Sequence, residues 1–118
     1  MSRESRLTSQ LRSLLHSKRV AALGTIGDDG TPFVSMVPYA IESASGCLVI
    51  HVSGLAFHTG NLQARPGVSV LVMQSEVEGE PVHALSRVTL DGLARVLEAG
   101  SSAWEVSGAA YVKRFPEA

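Results

Sequence analysis

The feature that most constrains the fold is a pair of β-rich runs joined by a tight turn. Residues 20–26 are apolar and partly β-branched, Asp28-Asp29-Gly30 supplies turn chemistry, and an extended pattern resumes over residues 33–41. This arrangement predicts an antiparallel β-hairpin near the start of the chain.

More strands follow this hairpin. A turn at Ser45-Gly46 leads into an apolar strand at residues 47–52, in which Cys47 is interpreted as a small core residue. Residues 68–73 form another β-rich run, and a long strand is predicted over residues 82–97, bent at Gly92.

Helices are predicted only around these strands. Apolar residues recur every three or four positions over residues 6–17, a shorter helix is expected at residues 55–64, and a last helix runs over residues 102–115 and ends before Pro116. Strands joined by hairpins with one crossover favour a mainly β fold, an antiparallel β-barrel with flanking helices, over a doubly wound α/β sheet.

Length and composition narrow the function classes. With 118 residues, 45% hydrophobic content and a net charge of -1, we expect one domain over residues 1–118, a small-molecule or protein partner, and neither nucleic acid nor a membrane as partner. The single cysteine excludes an internal disulfide, and the histidines lack metal-ligand spacing, so no metal site is predicted. A polar N-terminus without a signal-peptide pattern predicts a cytoplasmic protein.

The segment at residues 53–62 leaves a buried strand and opens a short helix. A helix N-terminus offers unpaired N–H groups, and Ser53, His58, Thr59 and Asn61 would add side-chain donors for an anion. The alternative is structural, with Ser53 as the helix cap and His58 on the solvated side.

A second segment combines an apolar strand with a proline in its middle. Proline cannot donate to a β-ladder, so this strand is either an ordinary edge strand or an interrupted one whose free backbone groups face a flat heterocycle. The residues concerned are Ser35, Met36, Val37, Pro38, Tyr39 and Ala40.

Arg87 and His51 each have two interpretations, one structural and one as a ligand contact. Arg87 alternates with apolar residues, and it either points towards a ligand or belongs to a solvated face with Thr89 and Asp91. His51 lies in a strand that looks buried, and it is either a satisfied core histidine or a flavin or haem contact.

Taken in order, five segments resemble the pyridoxamine-phosphate-oxidase-like FMN-binding split barrels, with the haem-utilisation (HugZ-type) proteins as the closest branch. The segments are residues 22–25, 32–40, 51–62, 66–71 and 87–94, and the match follows the same order along nearly the whole chain. The resemblance implies an FMN-binding split barrel that works as a homodimer. Physically, an incomplete barrel exposes strand edges that a symmetric partner covers.

The same resemblance implies roles for individual residues. The strand from Ser35 to Ala40 would border the isoalloxazine ring and ribityl chain, and His51 and Val52 would touch the flavin. His58 and Thr59 match the pair that binds the phosphate, and Arg87 matches a position that reaches the flavin, often from the other subunit.

The sequence also departs from the family pattern. Arginine and lysine hold the phosphate in the oxidase proper, whereas His58 and Thr59 supply weaker and pH-dependent charge. The oxidase's C-terminal segment, with its substrate-binding arginine, has no counterpart before Ala118. We therefore do not expect pyridoxamine phosphate oxidation, and we expect the family's final barrel strand to be missing.

Three functions remain at this stage. The first is an FMN-dependent oxidoreductase of unknown substrate, in which the cofactor carries the redox chemistry. The second is a non-catalytic FMN-binding module, and the third is a haem-binding or haem-degrading protein with His51 or His58 as iron ligand. The sequence does not distinguish FMN from a deazaflavin.

Overall fold

An antiparallel four-stranded sheet forms the centre of the fold. In the computed structural model, which describes residues 5–52 and 57–118, its strands are β1 (Val20–Ile26), β2 (Pro32–Pro38), β5 (Gly67–Met73) and β6 (Arg87–Leu93), in the spatial order β2-β1-β5-β6. A separate two-stranded sheet pairs β3 (Ala40–Ile41) with β4 (Leu48–Val49). Three helices flank the sheets: α1 (Arg6–Ser17), α2 (Phe57–Ala64) and α3 (Ser102–Arg114).

The β1–β2 hairpin closes through turn geometry that its sequence favours. Gly30 has a φ of +82°, a conformation that glycine adopts without strain, and the carboxylate of Asp29 accepts the N–H of Thr31 at 2.9 Å. Hydrogen bonds from the Thr31 side chain and from this N–H hold the pKa of Asp29 below its ordinary value. The resulting register places Leu23 opposite Ser35.

The two faces of the large sheet have different surroundings. Alternate residues of β1, namely Ala21, Leu23 and Thr25, are buried on the inner face. Two small clusters form the core there: one joins Ala21, Tyr39 and Val72, and the other joins Leu23, Val37 and Leu62. The outer face carries exposed apolar side chains.

Side chains distant in sequence hold the end of α1. The Tyr39 hydroxyl donates to the Leu15 carbonyl at 2.5 Å, and the guanidinium of Arg114, at the end of α3, donates to the carbonyls of His16 and Lys18. These bonds satisfy carbonyls that have no partner within the helix. Burial raises the pKa of Tyr39, and the positive charge of Arg114 partly opposes that shift.

Three predicted strands differ from the observed ones. The strand predicted over residues 33–41 is divided at Tyr39: its N–H donates to the Arg19 carbonyl at 3.0 Å, which ends the pairing with β1, and Ala40 pairs instead with Val49 of β4. The strand predicted over residues 47–52 contains only Leu48–Val49. Cys47 is exposed, so its interpretation as a core residue is wrong; its N–H bonds to the Ser45 hydroxyl in the turn.

The prediction of a long strand over residues 82–97 is also wrong in its extent. Val82–Ala84 form a single 3-10 turn, β6 begins at Arg87, and the strand runs on through Gly92, which pairs with Val68 rather than marking a bend. The irregular start has a tertiary cause, because the Ser86 N–H bonds to the side-chain carbonyl of Gln74, just after β5.

The antiparallel sheet and its flanking helices are therefore confirmed. Within the described part of a single chain, the four-stranded and two-stranded sheets do not join into a closed barrel. None of the helices in this part has the length and apolar character needed to span a bilayer.

Candidate ligand-binding site

One side of α2 lies across the β1–β2 hairpin and is fixed to it by polar side chains. His58 Nδ1 lies 2.9 Å from the Ser35 hydroxyl, and the Asn61 amide donates to the Thr25 hydroxyl at 3.1 Å. Spacings of three and four residues put His58, Asn61 and Arg65 on the same side of the helix. The structure thus brings together Ser35, His58 and Asn61, three of the residues singled out in the sequence.

Arg65 completes this attachment and was missed by sequence reasoning. Its Nε donates to the Ile26 carbonyl at 2.7 Å, and its guanidinium forms an ion pair with Asp28 at 2.9 Å. Its position four residues after Asn61 and seven after His58 was the signal that would have found it. These bonds hold the guanidinium at the hairpin turn.

The neighbourhood of Ser35 and His58 is almost without charge. The sequences of β1, β2 and α2 contain no Asp, Glu, Lys or Arg, and His58 is the only ionisable side chain in the three elements. Thr59, which is 3% exposed, adds a buried hydroxyl. The donor set consists of hydroxyls, an amide and one imidazole.

The side chains of residues 36–40 have different surroundings. Val37 faces the core with Leu23, whereas Met36 is 66% exposed on the opposite face. Pro38 ends β2, which is an edge strand of the sheet, as its missing N–H predicts. Tyr39 and Ala40 are both buried.

The residues around the end of β4 are only partly brought to this site. Val52 is half-buried against the cluster of Leu23, Val37 and Leu62. His51 is exposed, so its expected place in a buried strand is wrong, because β4 already ends at Val49. Its ring meets Tyr111 of α3 edge-on, with 5.9 Å between the ring centroids. Ser53 lies outside the described residues.

Arg87 is separated from Ser35 and His58 within one chain. It is the first residue of β6, is exposed, and pairs with Met73, whose side chain is on the outer face. Because β2 and β6 are the opposite edges of the sheet, one subunit alone does not bring Arg87 to the other site residues.

The outer face of the sheet contains a shallow apolar groove of about 550 Å³. At its rim, the Lys18 ammonium donates to the Ser75 hydroxyl at 2.9 Å. Sequence reasoning named Met36 but missed the surface as a whole, although apolar residues on both faces of β1 were a signal for it. The apolar residues that line it are Val20, Ala22, Val34, Met36, Leu71 and Met73.

Among residues 5–52 and 57–118, no group of three or more His, Cys, Asp or Glu side chains is arranged to hold an ion.

The sequence matches the family model described as pyridoxamine 5'-phosphate oxidase over residues 7–118. The chain belongs to this family. Its similarity to haem-utilisation proteins puts it near that branch, as the resemblance in the sequence implied.

Two relatives illustrate this similarity, and the first was compared both by sequence and by structure. The chain is 29% identical to the heme oxygenase HutZ of Vibrio cholerae over 101 residues, which are 86% of this chain and 56% of the relative. It superposes with a TM-score of 0.83 on the structure of HutZ described as a heme storage protein from Vibrio cholerae, at 27% identity, covering 96% of this chain and 78% of that one. A heme binding protein from Mycobacterium smegmatis gives a TM-score of 0.80 at 30% identity, covering 96% and 44%. The chain thus spans little more than half the length of the curated relative.

Proposed function

We propose that this chain is a haem-binding protein of the pyridoxamine 5'-phosphate oxidase family. The observation that carries the proposal is the similarity, over 86% to 96% of the chain, to proteins named for storing, binding or breaking down haem. The nearly uncharged surroundings of Ser35 and His58 suit the phosphate group of a flavin poorly.

His51 is our candidate for the iron ligand. A histidine imidazole is a common axial ligand of haem, and the His51 ring is exposed, with one edge contact to Tyr111. His58 is less suitable, because it is half-buried and its Nδ1 is paired with Ser35. Bound haem would supply the iron chemistry, and the chain would hold and orient it.

A homodimer built on the outer sheet face is part of the proposal. Val34 and Met36 are each 66% exposed on this face, and an exposed apolar surface of this kind is typical of an interface. A partner subunit seated there would complete the barrel. It would also offer its own Arg87 to a site that a single chain leaves without it.

An FMN-binding function, with or without oxidoreductase activity, is the second candidate. The observation that favours it is the convergence of Ser35, His58 and Asn61, which the family resemblance assigns to the flavin site. The other proposed contacts are Met36, Val37, Pro38, Tyr39, Ala40, His51, Val52, Ser53, Thr59 and Arg87. A deazaflavin would use the same positions.

The test is a titration of the purified protein with haemin, followed by absorbance in the Soret region. We expect a shifted, saturable Soret band for the wild type and its loss or displacement in His51→Ala. His83→Ala is the matched control, since His83 is also exposed and lies in the 3-10 turn away from Tyr111. An unchanged band in His51→Ala would refute the ligand assignment, and absence of any saturable band would refute haem binding.

A further inference from the structure

The position that the family resemblance assigns to the FMN phosphate has an unsuitable donor set in this chain. A phosphate monoester carries between one and two negative charges at neutral pH, and it is held best by guanidinium or ammonium groups. Here the position presents His58, Thr59 and Ser35. An imidazole gives a weaker, pH-dependent charge than an arginine.

The polar groups at this position are already engaged. The Ser35 hydroxyl and His58 Nδ1 pair with each other at 2.9 Å, and the Asn61 amide donates to Thr25. A phosphate would have to displace these bonds, and none of the groups involved is a guanidinium or ammonium that would compensate for the lost hydration of the anion.

Three cations of the described residues are held elsewhere. Arg65 is committed to the Ile26 carbonyl and to Asp28 at the hairpin turn. Lys18 lies at the rim of the groove on the outer face, where it bonds to Ser75, and Arg87 lies at the far edge of the sheet.

From this mismatch we infer that the position does not select a phosphate group. Any flavin that the chain takes up is held through its ring and ribityl chain, so FMN and riboflavin bind alike. The inference uses the family assignment of the position, but it does not depend on haem binding.

The experiment compares FMN with riboflavin on the wild-type protein by quenching of flavin fluorescence at about pH 7.5. We expect the two dissociation constants to agree within about tenfold, or neither flavin to be retained. FMN binding more than about tenfold tighter than riboflavin would overturn the inference.

A gain-of-charge variant tests the position itself. His58→Arg introduces a guanidinium, and a hydrogen bond to a charged group contributes about 1.5 to 3 kcal/mol, which is about a 10- to 150-fold preference for FMN over riboflavin. Gln63→Arg is the matched control, because Gln63 is an exposed residue of the same helix. An equal FMN preference in both variants would show that general charge, not this position, is responsible, and it would overturn the inference.

The haemin titration separates this result from the proposed function. A wild-type protein that binds haemin but prefers FMN strongly over riboflavin would contradict only the inference about phosphate. A protein that treats the two flavins alike and shows no Soret band would contradict only the haem proposal.

Discussion

Placing a charge on the outer sheet face is expected to break the proposed dimer, and Val34→Glu is the most informative change. Burying a whole valine side chain contributes about 1.5 to 3 kcal/mol. Val34 is 66% exposed in the single chain, so about two-thirds of that, roughly 1 to 2 kcal/mol, is available at an interface. A two-fold symmetric dimer buries Val34 of both subunits, so the free energy available at the interface is about 2 to 4 kcal/mol.

This free energy corresponds to a dimer dissociation constant raised by about 30- to 900-fold, before any cost of burying the new carboxylates. Sedimentation velocity over a range of concentrations measures the change directly. Substituting an exposed side chain should leave the free energy of unfolding of the single chain within about 0.5 kcal/mol of the wild type.

Val112→Glu is the matched control for this prediction. Val112 is 53% exposed, but it lies on α3, away from the outer sheet face. The reasoning is refuted if the wild type is a monomer, or if Val34→Glu and Val112→Glu weaken the dimer equally.

Two further predictions concern stability. Tyr39→Phe removes the hydrogen bond to the Leu15 carbonyl and should lower the free energy of unfolding by about 0.5 to 1.5 kcal/mol in urea at neutral pH. Because burial raises the pKa of Tyr39, the wild type should lose stability as the pH rises through and above about 10, and the variant should lose less. Glu42 accepts hydrogen bonds from the Ser45 hydroxyl and from the N–H groups of Ser45 and Ala44, which lower its pKa, so the wild type should lose stability below about pH 4.5 and Glu42→Gln should show a smaller acid loss.

Each of these stability predictions has a clear contrary result. If Tyr39→Phe and the wild type lose the same free energy of unfolding at alkaline pH, a group other than Tyr39 causes that loss. If Glu42→Gln and the wild type lose stability in parallel as the pH falls, the carboxylate of Glu42 does not anchor the β3–β4 turn.

Much of the fold was predictable because its signals are local. The helix at residues 6–17 follows from apolar periodicity, and the β1–β2 hairpin follows from β-rich runs around Asp28-Asp29-Gly30. Both depend on residues that are neighbours in sequence. The start of β6 depends instead on a contact between Ser86 and Gln74, which no local pattern encodes.

The features of the candidate site were likewise predictable only where their signals are local in sequence. His58 and Asn61 were recognised from the composition of their segment, but their pairing with Ser35 and Thr25 depends on how α2 lies across the hairpin. The exposure of His51 follows from the short β4, which an apolar run alone does not reveal. The extent of the groove on the outer face appears only when the strands are in register.

The central claim, that this chain binds haem, is tested most directly by titrating one preparation of the protein with haemin and with FMN side by side. The account predicts a saturable Soret band with haemin that added FMN in excess does not displace. A protein that takes up FMN stoichiometrically and gives only the spectrum of free haemin would contradict it.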